Sequence, residues 1–285
     1  MRFARIELEG HPALALETDG KLSALWDDEA GFPGTLDALV GGGPEAFHRA
    51  AEALKAGREV DARAVRYLPP FRGRKILCVG LNYVDHSKES GYALPDYPTV
   101  FARFATSLLG HKEAIVRPRS SSQLDFEGEL VAVIGKAGRH IPEARALDHV
   151  AGYSIFNDGS IRDFQHRTPQ WTVGKNFDRT GGFGPVFVTA DELPPGAAGL
   201  TLETRLNGET VQKASTSDMV FSVARLVSIL SQAMTLEPGD VLVTGTPAGV
   251  GAARKPPLWM KAGDVCTVSI DKLGVLENSI ADEVP

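Results

Sequence analysis

Asp125-Phe126-Glu127-Gly128-Glu129-Leu130-Val131-Ala132-Val133-Ile134 places three carboxylates at alternate positions ahead of an unbroken apolar run. In extended chain alternate side chains share a face, so a strand beginning at Asp125 turns all three acids to one side. Like charges on one sheet face repel, which leaves two readings of the stretch: a solvent-exposed edge or a bound cation. Residues 130–134 read as a buried strand, and a further acid, Asp158, closes a second apolar run, Tyr153-Ser154-Ile155-Phe156-Asn157. Carboxylates converging at the ends of buried strands need compensation. Oxygen ligands suit Mg²⁺, Mn²⁺ or Ca²⁺ rather than zinc, and an ion held by few protein oxygens keeps positions open for substrate.

Working outward, further apolar, β-branched runs occur at residues 75–79, 149–156, 200–206, 240–244 and 265–270, nearly all bounded by Gly, Pro or Asp. The N-terminal part adds short strands at 3–9, 13–16 and 22–26, a helical pattern over 35–54, and a Pro69-Pro70 pair that marks a boundary near residue 70. Residues 219–234 carry the one long helical pattern of the second part. Many strands with few helices predict a mixed, β-rich α+β fold built as a barrel or rolled sheets. The expected domains are a small N-terminal unit, 1–70, and a larger unit, 71–285.

Composition excludes several classes. The net charge of −6 over 285 residues, with no basic cluster interleaved with aromatics, argues against a nucleic-acid partner. Two distant cysteines, Cys78 and Cys266, build neither a disulfide framework nor a thiolate zinc site. The N-terminus lacks the apolar core of a signal peptide, and no apolar stretch reaches the roughly 20 residues of a membrane span. A soluble, cytoplasmic protein is expected. There is no H-E-x-x-H, no G-x-S-x-G elbow and no cysteine placed as a nucleophile, and His11, His48, His111, His140, His149 and His166 show no ligand spacing.

The stretch FEGELVAVIGKAGRHIPEARALDHVAGYSIFNDGSIRDFQ resembles the central motif of the fumarylacetoacetate hydrolase family: Glu-x-Glu, a later Asp, then Arg-Asp-x-Gln. The likeness continues through WTVGKNFDRTGGFGP, LNGETVQKASTSDMVFSV and LEPGDVLVTGTPAGVG, covering roughly residues 74–283. It implies that Glu127, Glu129 and Asp158 ligate a divalent metal, usually Mg²⁺ or Mn²⁺. It also implies a β-roll particular to the family, a smaller N-terminal domain and a homodimer. Nothing is carried over for residues before 74.

His86 and Glu89 stand three apart, so a short helix sets both on one face, where a His–carboxylate pair can hold a water and take its proton. Alone such a pair is as easily a surface feature; its place after the strand at 75–79 resembles the family's catalytic dyad. Gly91, Pro95 and Pro98 follow as a candidate lid. Lys175 is locally an isolated cation near Trp171 and Phe177. The resemblance makes it the lysine that faces the metal and stabilises developing negative charge, with Asp163 as a candidate partner and Gln165 as the pocket glutamine.

Thr244-Gly245-Thr246-Pro247-Ala248-Gly249-Val250-Gly251 follows a strand but lacks the Gly-Lys-Ser/Thr ending of a phosphate loop. In the family this turn lines the site, so the Thr246 hydroxyl together with local backbone N–H groups is expected to receive a substrate carboxylate. Arg103 stands where many relatives have lysine. It could meet a second substrate carboxylate or polar tail, or pair with a neighbouring acid, and we expect the specificity role.

The expected substrate is a small 2-oxo or 2,4-dioxo acid. The leading expectation is hydrolysis of a carbon–carbon bond in an acylpyruvate, with His86 and Glu89 directing water and Lys175 stabilising the departing enolate. The same site could instead decarboxylate or tautomerise oxaloacetate, or hydrate a 2-oxo-alkenoate. A non-catalytic oxo-acid-binding protein is the alternative from a different class.

Overall fold

The computed structural model describes residues 1–85 and 95–284. The apolar run after the acids forms the strand Gly128–Ile134, buried along its whole length. Burial on both faces is what allows it to be apolar without alternation. Leu130, Ala132 and Ile134 join one core with Leu202, Val268 and Leu276, while Val131 and Val133 join another with Phe47, Leu54 and Phe187.

Antiparallel pairing with Val150–Asp158 sets Gly128 opposite Asn157 and Glu129 opposite Phe156. The Asp158 N–H then donates to the Glu127 carbonyl at 2.8 Å. That register brings Glu127 and Asp158 side by side where the two strands end.

Among the described residues the main sheet has twelve strands. Its order runs Arg58–Val60, Lys21–Trp26, His11–Thr18, Arg2–Leu8, Gly181–Thr189, Val150–Asp158, Gly128–Ile134, Val241–Val243, Ile76–Gly80 and Thr99–Ala102, with Arg66–Tyr67 and Leu108–Leu109 paired off this path. A five-stranded sheet (Glu209–Ser215, Thr201–Leu206, Val265–Ile270, Gly274–Asp282, Ile115–Arg117) packs against it, and Leu124–Asp125 pairs with Ser160–Ile161 separately. The β-rich α+β class read from the sequence is the one observed. Strands from residues 1–70 extend the main sheet, with Arg2 opposite Val188 and Phe3 opposite Phe187.

Three local readings change. The helix expected over 35–54 is two helices, Leu36–Leu39 and Gly43–Lys55, parted by the turn Val40–Gly42. Gly43 there has φ 68°, a conformation glycine adopts without penalty, and Pro44 follows where a first helical turn needs no N–H. The helix expected over 219–234 is Val223–Ala233, capped by Ser222 Oγ accepting from Arg225 N–H at 3.2 Å. The strand Gly181–Thr189 was not anticipated, because Gly-Gly-Phe-Gly-Pro reads as a turn. Its glycine has a packing reason: a Cβ on Gly182 would stand 2.5 Å from Asn278 Oδ1 of the neighbouring sheet.

Fully buried Asn82 ties together the strand ends beneath the site. Its Nδ2 donates to the Thr244 carbonyl (2.7 Å) and the Phe221 carbonyl (3.0 Å), while its Oδ1 accepts from Phe221 N–H (2.7 Å). Asn82→Leu leaves three buried backbone groups unpaired and should lower stability by roughly 2–5 kcal/mol. Urea unfolding checks this; a loss below about 1 kcal/mol would mean that water or a shifted loop replaces the side chain.

Candidate active site

Glu127, Glu129 and Asp158 bring carboxylate oxygens within 4.8 Å of one another. They are 5%, 2% and 0% exposed. The strand pairing sets Glu127 beside Asp158, and the two-residue repeat returns Glu129 to the face of Glu127. Asp125 does not join them, because the chain breaks between Leu124–Asp125 and Gly128–Ile134. Its carboxylate accepts instead from Arg162 Nε (2.8 Å) and from the N–H groups of Phe126 (2.8 Å), Gly251 (2.8 Å) and Ala252 (2.9 Å). Of the three alternating acids, Asp125 is therefore the anchor for the turn that walls the site.

Three buried cations reach the cluster from separate elements. Lys175 Nζ donates to Glu127 Oε2 (2.5 Å) and Asp158 Oδ2 (2.7 Å). Arg162 Nη2 donates to Glu127 Oε1 (2.6 Å), and its Nη1 to Gln165 Oε1 (2.8 Å). Arg103 pairs with Asp158 and donates to Thr180 Oγ1 (2.7 Å), the Gly159 carbonyl (3.2 Å) and Ser107 Oγ (3.1 Å). Burial alone would lower the Lys175 pKa, but Asp158 and Glu127 reverse this and hold it above its ordinary value. Its two carboxylate partners thus favour the charged ammonium over the free amine.

Four buried carboxylates face three buried cations. Glu129 shows where the imbalance falls, since its Oε2 accepts from Gly245 N–H at 2.5 Å and it makes no ion pair among the described residues. Burial, then Asp158, then Glu127 push its carboxyl well above the usual range. A cluster of hard oxygen donors short of positive charge fits a divalent cation. Gly245 has to be glycine for this contact, as its φ is +99° and a Cβ would meet Asn82 at 2.8 Å.

A cavity of about 280 Å³ opens over the cluster, lined by Glu127, Glu129, Arg162, Gln165, Lys175 and Thr246 together with His166, Phe101, Trp171 and Leu81. The structure therefore brings Glu127, Glu129, Lys175, Gln165 and Thr246 into one cavity, with Asp158 bonded to Lys175 in its floor. His86 and Glu89 lie outside the described residues. Gln165 spends its oxygen on Arg162, and its amide nitrogen has no protein partner among the described residues.

Three expectations change here. Arg103 does not line the cavity; with its side chain 0% exposed it stands behind Asp158, so it pairs with an acid rather than meeting a substrate tail. The Thr246 hydroxyl donates to the Gly128 carbonyl (3.0 Å) and accepts from Gln212 Nε2 (2.8 Å), so its hydrogen is engaged within the chain while Thr246 itself lines the cavity. Asp163 accepts from Ser121 Oγ at 2.6 Å, while Lys175 is held by the cluster itself. No role is expected from the sequence for Arg162, the first residue of the Arg-Asp-x-Gln run, for Gln212 or for His166. Gln212 accepts from Gly128 N–H (3.0 Å) and donates to the Pro247 carbonyl (2.9 Å), joining the glutamate strand to the turn, though it lies in a region whose surface-like polarity hides this.

The site is thus a buried cluster of hard oxygen donors under a small cavity, set in a β-rich α+β fold. The chain belongs to the fumarylacetoacetate hydrolase family, because the family model "Fumarylacetoacetate (FAA) hydrolase C-terminal" matches residues 75–281. It is 41% identical over 275 residues to a mitochondrial oxaloacetate tautomerase of Homo sapiens, covering 94% of this chain and 87% of that protein. Among solved structures it resembles a fumarylacetoacetate hydrolase of Exiguobacterium antarcticum (36% identity, TM-score 0.86, covering 99% and 100% of the two chains). It also resembles a 2-hydroxyhepta-2,4-diene-1,7-dioate isomerase of Mycobacterium marinum (32% identity, TM-score 0.78, 100% of each chain). No helix among the described residues is long and apolar enough to cross a membrane.

Arg103→Met strips Asp158 of one of its two cationic partners and should cost roughly 3–5 kcal/mol, the scale for breaking a buried ion pair. Arg103→Lys, which keeps charge but not the fork, should recover only part of this. Denaturant melts of both variants in chelator decide it; equal stability of all three proteins would make Arg103 dispensable to the site.

Proposed function

We propose that this chain is an enzyme that interconverts the keto and enol forms of a small 2-oxo acid of the oxaloacetate type, using Mg²⁺ or Mn²⁺ held by Glu127, Glu129 and Asp158. The observation that carries the reading is the fixed Lys175 ammonium between Glu127 and Asp158, in the floor of the cavity. Removing a proton from C3 of a 2-oxo acid moves charge onto the C2 oxygen, and a preorganised cation in a buried site stabilises that charge at no cost in rearrangement. The bound metal ion would supply Lewis-acid charge for the carboxylate and keto oxygens of the 2-oxo acid.

Gln165 offers its amide hydrogens to the same end of the substrate, oriented by Arg162. His86 and Glu89 are the acid–base pair of this proposal, moving the proton between C3 and solvent or the C2 oxygen. The choice among enolate reactions is supported by the near full-length likeness to a named oxaloacetate tautomerase. Carbon–carbon hydrolysis of an acylpyruvate is the second reading, supported by the likeness to a structure titled fumarylacetoacetate hydrolase. It would use the same enolate stabilisation with a water directed at C4.

With Mg²⁺ or Mn²⁺ present, the protein should accelerate conversion of enol to keto oxaloacetate, followed by the loss of enol absorbance. Chelation should abolish this. Lys175→Met should lower turnover by about 10²–10³-fold and His86→Ala by about 10²-fold. Cleavage of acetylpyruvate without any tautomerase acceleration would replace this reading with the hydrolytic one.

Cation binding has its own readout. A hundredfold excess of Mn²⁺ over its dissociation constant should stabilise the protein by roughly 2.7 kcal/mol. Glu129→Gln should lose this gain, seen as an unshifted melting temperature.

A further inference from the structure

We propose that His166 recognises the second carboxylate of the substrate and makes the site selective for 2-oxo dicarboxylates over monocarboxylates. The inference deepens the proposed function and rests on the cavity being a 2-oxo-acid site.

His166 follows the short helix Arg162–Gln165, its backbone N–H donating to the Arg162 carbonyl at 3.1 Å. It lines the same cavity as Gln165 and Lys175, yet it is exposed where they are buried, which puts it at the mouth. The two cations of the cavity wall are committed to the floor: Arg162 to Asp125, Gln165 and Glu127, and Lys175 to Glu127 and Asp158. Much of the remaining wall is apolar, including Leu81, Val250 and Ala253. Arg167, the next residue, is not part of the lining and lays its guanidinium 3.6 Å over the Phe164 ring.

The His166 imidazole has no hydrogen bond or ion pair to any described residue; among the described lining residues its ring nitrogens are unspent, as is the Trp171 indole N–H. A 2-oxo acid with its oxo-acid end at the carboxylate cluster extends its other end outward. If that end is a carboxylate, burying it against Leu81 and Val250 without a charged donor is unfavourable, and His166, unlike the neutral Trp171 N–H, can meet it as a protonated ring. Specificity built this way works by leaving one competitor's charge satisfied and offering the other nothing in exchange.

The charges facing the ring say how the contact responds to pH. Burial first, then Arg162 and Lys175, hold the His166 pKa below its ordinary value, with Glu127 acting in the opposite sense. The substrate-free ring is therefore neutral at neutral pH. A carboxylate placed beside it raises the pKa, so dicarboxylate binding takes up a proton at pH values between the free and bound pKa.

The test uses malate and lactate as unreactive probes that differ by one carboxylate, titrated calorimetrically into the Mg²⁺-loaded full chain in buffers of different ionisation enthalpy. Wild type should prefer malate and take up protons with malate but not lactate. His166→Phe should reduce that preference by about ten- to a hundredfold, the scale of a charge-assisted hydrogen bond, while leaving lactate affinity in place. His166→Arg should keep the preference and lose the proton uptake. An unchanged malate-to-lactate ratio in His166→Phe, equal loss of both probes, or no malate binding by wild type overturns the proposal. Because these are binding readouts, they stand apart from turnover: tautomerase activity with an unaltered ratio would remove His166 and keep the proposed function, whereas the shifted ratio without tautomerase activity would keep His166 and remove that reaction.

Discussion

Three carboxylates packed at the ends of two buried strands create a concentration of negative charge that the rest of the molecule is arranged to hold. The strand pairing makes it unavoidable: Glu127 and Asp158 come side by side because Gly128 lies opposite Asn157, and Glu129 returns to the same face two residues on. Isolated carboxylates so deeply buried would protonate or unfold the site. Each surrounding element therefore contributes a countercharge. Arg103 comes from the end of the edge strand Thr99–Ala102, Arg162 from a four-residue helix, and Lys175 from the turn after Trp171–Val173.

This constraint also explains why the walls of the site are rigid. Asp125 binds Arg162 and the N–H groups of Gly251 and Ala252, so the same residue fixes a cation of the floor and the turn that closes one side. Gln212 does the equivalent for Gly128, Thr246 and Pro247. A charge cluster left short of one cation has little tolerance for displacement, because the Coulomb term in a poorly screened interior changes steeply with distance. The Gln212 brace, being neutral, holds the geometry without adding to the imbalance.

The sequence carried the acids and the strands well, and for a physical reason. Where the chain is extended, alternation places Glu127 and Glu129 on one face, and an unbroken apolar run such as residues 130–134 reads as buried. Asp125 and Arg103 were misread because their roles depend on a break in the strand and on which side of Asp158 the edge strand passes, neither of which is a local property. Gly181–Thr189 was hidden for a related reason: its glycines answer to Asn278 on another sheet, and local propensity reads them as a turn. His166 gave no local signal, since a histidine beside Gln165 becomes distinctive only when every other cation near it is found to be engaged.

The charge pattern finally bears on the order in which the site can fill. With four buried carboxylates facing three buried cations, the cluster balances its charge without a divalent ion only by keeping a proton on Glu129, whose carboxyl is pushed well above the usual range. Once that proton leaves, an anion of the proposed 2-oxo acid kind would meet repulsion at short range, where screening by salt is weak. A divalent ion would take the place of the proton and leave the floor with net positive charge, to which the same anion would be attracted. The wall of Phe101 and Trp171, whose rings pack edge-on with centroids 5.8 Å apart, offers such an anion no charged partner of its own. Cation before substrate is thus the sequence of binding that the buried charges favour, and it follows from the same strand register that placed Glu127 against Asp158.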